Sequence, residues 1–220
     1  MKNKKMIILS IFLMVIITMI LVIFYVKNNR LADGEKLFRN QFTLYNNKKS
    51  LNKVKYITVD IEEDNNVEYL NDSNVIKKMK KETGIFLFCY PQSNDCRNVV
   101  NVLSDIDIGS NIGKYYYNAY RIRDEKYIGT DGEILTIKDA YEPYDEILTL
   151  LGDKAEEYYG LGDSNVKRLY FPTVIFVKNG NIKYMHSGTI DTAKEEKELT
   201  KKEKHQLKKI YLKGINKINE

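Results

Sequence analysis

Three side chains in one short stretch have the chemistry of a redox site, namely Cys89, Ser93 and Cys96. A cysteine thiolate attacks disulfides, and the unpaired N–H groups at a helix N-terminus stabilise it and lower the pKa of the thiol. Serine lacks this ability, because its hydroxyl stays protonated near neutral pH and its oxygen is a poor nucleophile toward sulfur. The sequence places neither His186 nor His205 as a general base for the serine. We therefore expect Ser93 to cap a helix.

The elements around these residues are a buried strand, a proline turn and a helix. Residues 85–89 form an unbroken apolar run, which predicts a strand covered on both faces. Pro91 ends this run because it lacks an N–H and restricts its neighbour to extended geometry. Apolar side chains then recur at helical spacing at Cys96, Val99, Val100 and Leu103. The sequence predicts a helix over 96–104, with Ser93 at its N-cap or in its first turn.

A second stretch, residues 171–188, predicts a β-hairpin that starts at a proline. Pro172 and Thr173 lead directly into an apolar run, and the first residue of a strand is one of the few places where a sheet accepts proline. Asn179 and Gly180 then form a two-residue turn signal.

These two segments, in this order and followed by a helix, resemble the thioredoxin-like proteins over residues 54–218. The resemblance implies an α/β fold with a central mixed sheet flanked by helices, and a Cys-x-x-Cys active site that opens a helix. Here Ser93 stands at the position of the first cysteine and Cys96 at that of the second, so the motif is degenerate. The resemblance also implies a cis-proline at Pro172, which presents backbone to an extended peptide. The partner-binding residues that it implies are Tyr90, Pro91, Phe171 and Pro172.

The aromatic-proline sequence before the motif, together with the membrane segment described below, is similar to the membrane-bound thioredoxin-like proteins of low-GC Gram-positive bacteria. That group includes the bacteriocin transport accessory proteins. This closer resemblance implies a cell-envelope protein that acts in cell redox homeostasis, with an exported or cell-envelope protein or peptide as its partner. No cofactor is implied.

Two functions remain open for this site. In the first, the domain has lost exchange chemistry and uses the proline groove to hold an exported partner. In the second, it is a thiol–disulfide oxidoreductase that works through Cys96, alone or with Cys89. The first is favoured, because Cys96 is expected to point into the domain, where its simplest interpretation is a small buried apolar residue. A Cys89–Cys96 disulfide is not favoured, because closing it between a strand end and the next helix would strain the loop.

The N-terminus predicts a membrane anchor. Residues 6–26 are almost continuously apolar, and at about 1.5 Å per residue they span a bilayer core of roughly 30 Å. No small-residue cleavage site follows, so we expect an uncleaved single-pass anchor in the cell membrane. The positive charges flanking it are nearly balanced. The short tail, residues 1–5, favours a cytoplasmic N-terminus, with residues 31–220 outside.

Residues 27–53 predict a polar juxtamembrane stalk, and packing of an amphipathic turn against the domain is the less favoured interpretation. The domain follows over 54–220, with an insertion at about 124–165 relative to a minimal thioredoxin fold. Its remaining predicted elements are a first strand over 55–61, a short helix capped by Asp72 or Ser73, a strand within 113–123, a hairpin around Asp131-Gly132, a helix at Pro143 and a C-terminal helix opened by a capping box from Thr200 to Glu203.

Composition argues against several other classes of protein. The net charge is +5, but the lysines are spread along the chain rather than gathered beside aromatic residues, so a nucleic-acid groove is not indicated. Two cysteines without a Cys/His cluster are not the pattern of a disulfide scaffold or a structural zinc site. We expect no metal ion in this protein.

Overall fold

The computed structural model describes residues 2–109, 111–194 and 196–220; Met1, part of the predicted tail 1–5, lies outside the described residues. The helices are α1 (Lys2–Thr43), α2 (Asp72–Met79), α3 (Asn94–Ser104), α4 (Tyr144–Leu151) and α5 (Lys201–Asn219). The strands are β1 (Val67–Leu70), β2 (Gly84–Cys89), β3 (Gly113–Asn118), β4 (Glu125–Ile128), β5 (Ile134–Lys138), β6 (Glu156–Glu157), β7 (Lys167–Arg168), β8 (Thr173–Lys178) and β9 (Asn181–Ser187).

The fold is a mixed α/β arrangement with a five-stranded sheet between helices. The strands lie in the order β1-β3-β2-β8-β9. β1, β3 and β2 are parallel, whereas β8 is antiparallel to β2 and to β9. β2 is the central strand and all of its residues are buried, as its unbroken apolar run predicts. The α/β class and the mixed sheet flanked by helices are therefore confirmed.

Side chains of β2 alternate between two apolar cores, one on each face of the sheet. Ile85, Leu87 and Cys89 face the core built with α1, α3 and α5. Phe86 and Phe88 face the second core, which α2 and α4 cover. The loop after β2 and the start of α3 therefore lie at the C-terminal end of the central strand, beside the core that contains α1, α3 and α5.

α1 continues beyond the apolar run and ends on the folded region. Within 11–26 its large apolar side chains are exposed, and this part of the helix is long and apolar enough to cross a membrane. Residues 27–53 do not form a free polar spacer, because Phe38 and Phe42 are buried and their rings contact Tyr116. The predicted free stalk is therefore wrong, and the less favoured interpretation, in which this segment packs against the domain, is correct. The spacing of Phe38 and Phe42 places both rings on one face of the helix.

The segment 55–61 is extended but is not a strand of the sheet, so the predicted first strand is wrong. The alternation in its sequence is real, since Ile57 and Val59 are buried. Its first residues pair only with residues 48–49, where the Tyr56 N–H donates to the Lys48 carbonyl at 3.0 Å, and further along its backbone groups bond to side chains. The Ile57 N–H donates to Asn94 Oδ1 at 2.9 Å, and the Val59 N–H donates to Asn46 Oδ1 at 2.9 Å. β1 is the first strand of the sheet.

Between β3 and β8 the chain forms two small strand pairs and α4. The predicted hairpin around Asp131-Gly132 joins β4 to β5. α4 begins directly after Pro143, as predicted, and Gly152 ends it with a φ of +52°. β6 then pairs with β7, which leads into the Phe171–Pro172 segment.

The two remaining predicted helices are present. α2 is capped by Asn71, one residue before the predicted caps, and it buries Val75, Ile76 and Met79. α5 opens with the predicted capping box, in which the Glu203 N–H donates to the Thr200 hydroxyl and the Thr200 N–H donates to the Glu203 carboxylate.

Candidate functional site

Ser93 is the N-cap of α3, as predicted. Its Oγ accepts a hydrogen bond from the Cys96 N–H at 3.2 Å, which satisfies one of the donors that a helix N-terminus leaves free. Among the described residues no histidine hydrogen-bonds to Ser93, and His186 Nε2 instead lies 2.6 Å from the Thr189 carbonyl oxygen. The hydroxyl of Ser93 therefore has a structural partner, and no histidine in the described part of the chain can act as its base.

Cys89 and Cys96 form a disulfide, so the expectation against this pairing is wrong. Their Cα atoms are 5.6 Å apart, within the range that a disulfide spans. The pair meets because α3 already begins at Asn94 and helical side chains tilt toward the N-terminus, here toward the end of β2. Both cysteines are 0% exposed. The chain has no further cysteine, so neither the residual monothiol nor any other free thiol is present.

Arg97 is fully buried beside the disulfide and has no carboxylate partner among the described residues. Its guanidinium donates to the carbonyl oxygens of Phe42 (2.9 Å), Pro91 (3.1 Å) and Ile57 and to Asn46 Oδ1. Burial lowers the pKa of Arg97 to about 10, so the side chain remains a cation at neutral pH. This one residue holds the end of α1, the segment after it and the proline turn against α3.

Residues 44–57, which we call the covering segment, lie against the start of α3. Asn94 Nδ2 donates to the Lys55 carbonyl at 3.1 Å. Gln92 Nε2 donates to the Tyr45 hydroxyl at 2.6 Å. Gln92 and Asn94 flank Ser93 in the sequence. The covering segment therefore shields one side of the loop and first helical turn around Ser93.

A cavity of about 300 Å³ remains between the covering segment, the start of α3 and the Phe171 loop. Its walls include Tyr56, Tyr90, Ser93, Phe171 and Glu196. Burial is the main cause that raises the pKa of Tyr56, so its hydroxyl stays protonated and can donate a hydrogen bond. Gln92 Oε1, also at this cavity, is buried and accepts no hydrogen bond from the described residues.

The predicted partner-binding residues lie together, but at different depths. The Phe171–Pro172 bond is cis, as predicted. Pro91 and Pro172 are buried, and the Pro172 carbonyl already accepts the Gly188 N–H at 2.7 Å. Tyr90 and Phe171 are half-buried, with ring centroids 6.2 Å apart in an edge-to-face arrangement. The two aromatic residues are therefore the accessible members of the set.

Tyr120 extends this surface. Its ring centroid is 5.4 Å from that of Tyr90, and more than half of its side chain is exposed. We call Tyr90, Tyr120 and Phe171 the aromatic face. It adjoins the cavity at Ser93 and offers flat apolar area with two phenolic hydroxyls, a composition common in protein-binding surfaces.

Sequence reasoning missed four residues that shape this region. Asn94 and Arg97 hold the start of α3, and Arg123 and Arg168 lie beside the aromatic face. A signal existed for Arg97, because it precedes Val100 by one helical turn and so borders the apolar face of α3. None existed for Arg123 and Arg168, which lie far apart in sequence although their guanidiniums lie over the rings of the adjacent residues Phe171 and Tyr170.

Comparison with known proteins adds no assignment: no protein-family model matches the chain, and no curated protein has a significantly similar sequence. In the part of the chain that the structure describes, no group of three or more histidine, cysteine or acidic residues is arranged to hold a metal ion.

Proposed function

We propose that this chain is a membrane-anchored protein of thioredoxin-like fold that binds an exported protein partner outside the cytoplasm, without catalysing dithiol exchange. The observation that supports the proposal most strongly is that neither Ser93 nor the two cysteines offers a free thiol. Ser93 caps the helix, both cysteines are joined in a buried disulfide, and an accessible aromatic face lies next to them. The site offers contact surface where an exchange enzyme would offer an exposed thiol.

The thioredoxin-like assignment is supported by the arrangement of the elements. The central strand β2 leads through a proline turn into a capped helix, and a cis-proline precedes the antiparallel hairpin of β8 and β9. The resemblance seen in the sequence requires these features, in this order. Proximity of Phe171 to Tyr90 supports it further, because the hairpin start and the motif then share one surface.

The membrane location is supported by α1, whose exposed apolar stretch is long enough to cross a bilayer. An outward orientation of the folded region is supported by the disulfide, since such bonds persist in oxidising compartments and are rare in the cytosol. In that location, an exported protein is the kind of partner that the aromatic face would contact.

The second candidate function is thiol–disulfide oxidoreduction through the Cys89–Cys96 pair. The disulfide itself favours it, because the two sulfurs are already bonded and two electrons would reduce them to a dithiol. Burial opposes it. A partner thiolate must reach one of the sulfurs, and both cysteines are 0% exposed. We therefore place oxidoreduction second.

Two assays on the full chain separate these functions. In detergent micelles with dithiothreitol as the thiol donor, we expect insulin reduction no faster than with dithiothreitol alone. In its native membrane, we expect a photo-reactive phenylalanine analogue at Tyr90 to cross-link one exported protein. The same analogue at Tyr127, a half-exposed tyrosine on β4, should give no such adduct.

Insulin reduction by the wild type that disappears in Cys96→Ser would overturn the binding proposal and support the oxidoreductase. Equal cross-linking from positions 90 and 127 would remove the aromatic face as the binding surface.

A further inference from the structure

Two arginines beside the aromatic face have guanidinium groups that lie over aromatic rings. Arg123 lies over Phe171, 4.6 Å from the ring centroid, and Arg168 lies over Tyr158 at 4.1 Å. Arg168 also lies 5.9 Å from the ring centroid of Tyr170, the sequence neighbour of Phe171, so the two guanidiniums lie over the rings of adjacent residues. We call Arg123 and Arg168 the arginine pair. A cation–π contact with a ring uses none of the N–H donors of a guanidinium.

The arginine pair has no counter-ion within the described part of the chain. No hydrogen bond or ion pair joins either guanidinium to another described residue. Asp124, the sequence neighbour of Arg123, is buried and pairs with Lys126 at 2.9 Å. Each guanidinium carries five N–H donors in a planar fork, so this surface presents an unusual density of unused donors.

The two cations also repel each other. Burial lowers the pKa of Arg123, and the positive charge of Arg168 lowers it further. Both side chains are half-buried, so water screens them incompletely. A half-buried cation beside a second cation is destabilised, and an anion bound between them would relieve that repulsion.

The position of the arginine pair connects it to the proposed partner surface. Phe171 carries the Arg123 guanidinium and is also a wall of the cavity at Ser93. Tyr90 also lines this cavity, and its ring contacts Phe171. One continuous surface therefore runs from the cavity across the aromatic face to the arginine pair.

We propose that the arginine pair binds a carboxylate of the partner, so that the partner segment carries an acidic residue next to the part that contacts the aromatic face. This inference rests on the proposed function and specifies the chemistry of its partner. A carboxylate is planar and accepts paired N–H bonds from a guanidinium in the bidentate geometry that arginine favours. Aspartate, glutamate and the chain terminus are the anions that any exported protein presents.

The test uses the full chain in detergent micelles and a fluorescent hexapeptide of alternating glutamate and tyrosine, with glutamine replacing glutamate in the matched peptide. We expect fluorescence anisotropy to show the acidic peptide binding at least about tenfold more tightly than the neutral one. Arg123→Gln combined with Arg168→Gln should abolish that preference. The matched control is Lys178→Gln combined with Lys183→Gln, which removes the same charge near the hairpin turn, away from Pro172. This control should leave the preference for the acidic peptide intact.

Arg168→Lys provides a second variant that keeps the charge and loses the planar fork, and we expect it to retain only part of the preference. An acidic preference that persists in the Arg123→Gln/Arg168→Gln variant would overturn the inference. Inorganic phosphate that competes more strongly than glutarate would also overturn it, because the site would then select phosphate.

The outcome separates this inference from the proposed function. If cross-linking from position 90 succeeds but the acidic preference does not depend on the arginine pair, the inference is wrong and the proposed function stands. If the preference depends on the pair but position 90 cross-links no exported protein, the anion site stands and the proposed function is wrong.

Discussion

The buried Arg97 at the start of α3 and the arginine pair beside the aromatic face differ in whether their guanidinium donors are hydrogen-bonded within the protein. Arg97 is 0% exposed and donates to carbonyl oxygens of three separate segments and to an asparagine side chain. By contrast, Arg123 and Arg168 are half-buried and their guanidiniums donate to none of the described residues. Both regions are cationic, and none of these arginines forms an ion pair with a carboxylate among the described residues. They differ in whether the protein itself satisfies the donors.

The difference shows which part of this region is closed and which part is open. A buried cation whose donors are all used fixes the segments that supply the acceptors. The start of α3 has this character throughout, since Ser93, Asn94 and the disulfide are also bonded internally. Unused donors at a partly accessible surface are instead available to a ligand. The start of α3 is therefore closed by its own hydrogen bonds, whereas the guanidiniums of the arginine pair keep their donors unused by the described residues.

The largest effect is expected from Arg97→Met. The substitution leaves the carbonyl oxygens that Arg97 serves without donors in a dry site, and we expect the free energy of unfolding to fall by about 3–5 kcal/mol. Urea unfolding of the full chain in micelles, followed by tyrosine fluorescence, measures this loss. Arg121→Met is the matched control, because Arg121 is exposed beside Tyr120. A loss no greater than that of the control would contradict the structural role of Arg97.

A smaller loss is expected when the Cys89–Cys96 disulfide is opened. The bond closes a short loop, with a sequence separation of 7, so chain entropy predicts a decrease of about 2–3 kcal/mol in the free energy of unfolding. The urea midpoint with and without a phosphine reductant measures it, with mass spectrometry of alkylated thiols as the record of reduction. In Cys89→Ala/Cys96→Ala the reductant should have no effect. An unchanged wild-type midpoint after complete reduction would show that the disulfide does not stabilise the closed region.

The smallest effect on stability is expected from Arg123→Met and Arg168→Met. Each loses a cation–π contact but relieves the repulsion within the arginine pair, so we expect the free energy of unfolding to change by less than about 1 kcal/mol. The same urea titration compares them directly with Arg97→Met. If either variant lost as much free energy of unfolding as Arg97→Met, the arginine pair would also have a structural role and the contrast with Arg97 would be wrong.

Local patterns predicted most of the elements correctly. The buried strand β2, the helix capped by Ser93, the β8–β9 hairpin after Pro172 and the capping box of α5 are all confirmed. Each depends on residues close together in sequence, through side-chain periodicity, caps and turn residues. The segment 55–61 shows the limit of such reasoning. Its alternation predicted burial correctly, but membership of the sheet depends on a neighbouring strand, and side chains of Asn46 and Asn94 occupy its backbone groups instead.

The sequence by itself determined that the chain has an apolar segment able to cross a membrane, an α/β order of elements, and a serine, not a second cysteine, three residues before Cys96. Only the tertiary structure decided the rest of the site. The Cys89–Cys96 bond, the burial of Arg97 under the covering segment and the positions of Arg123 and Arg168 over the rings of Phe171 and Tyr170 all depend on distances between separate segments. Periodicity and capping report the local backbone of one segment, whereas these contacts arise from how several segments pack together around β2.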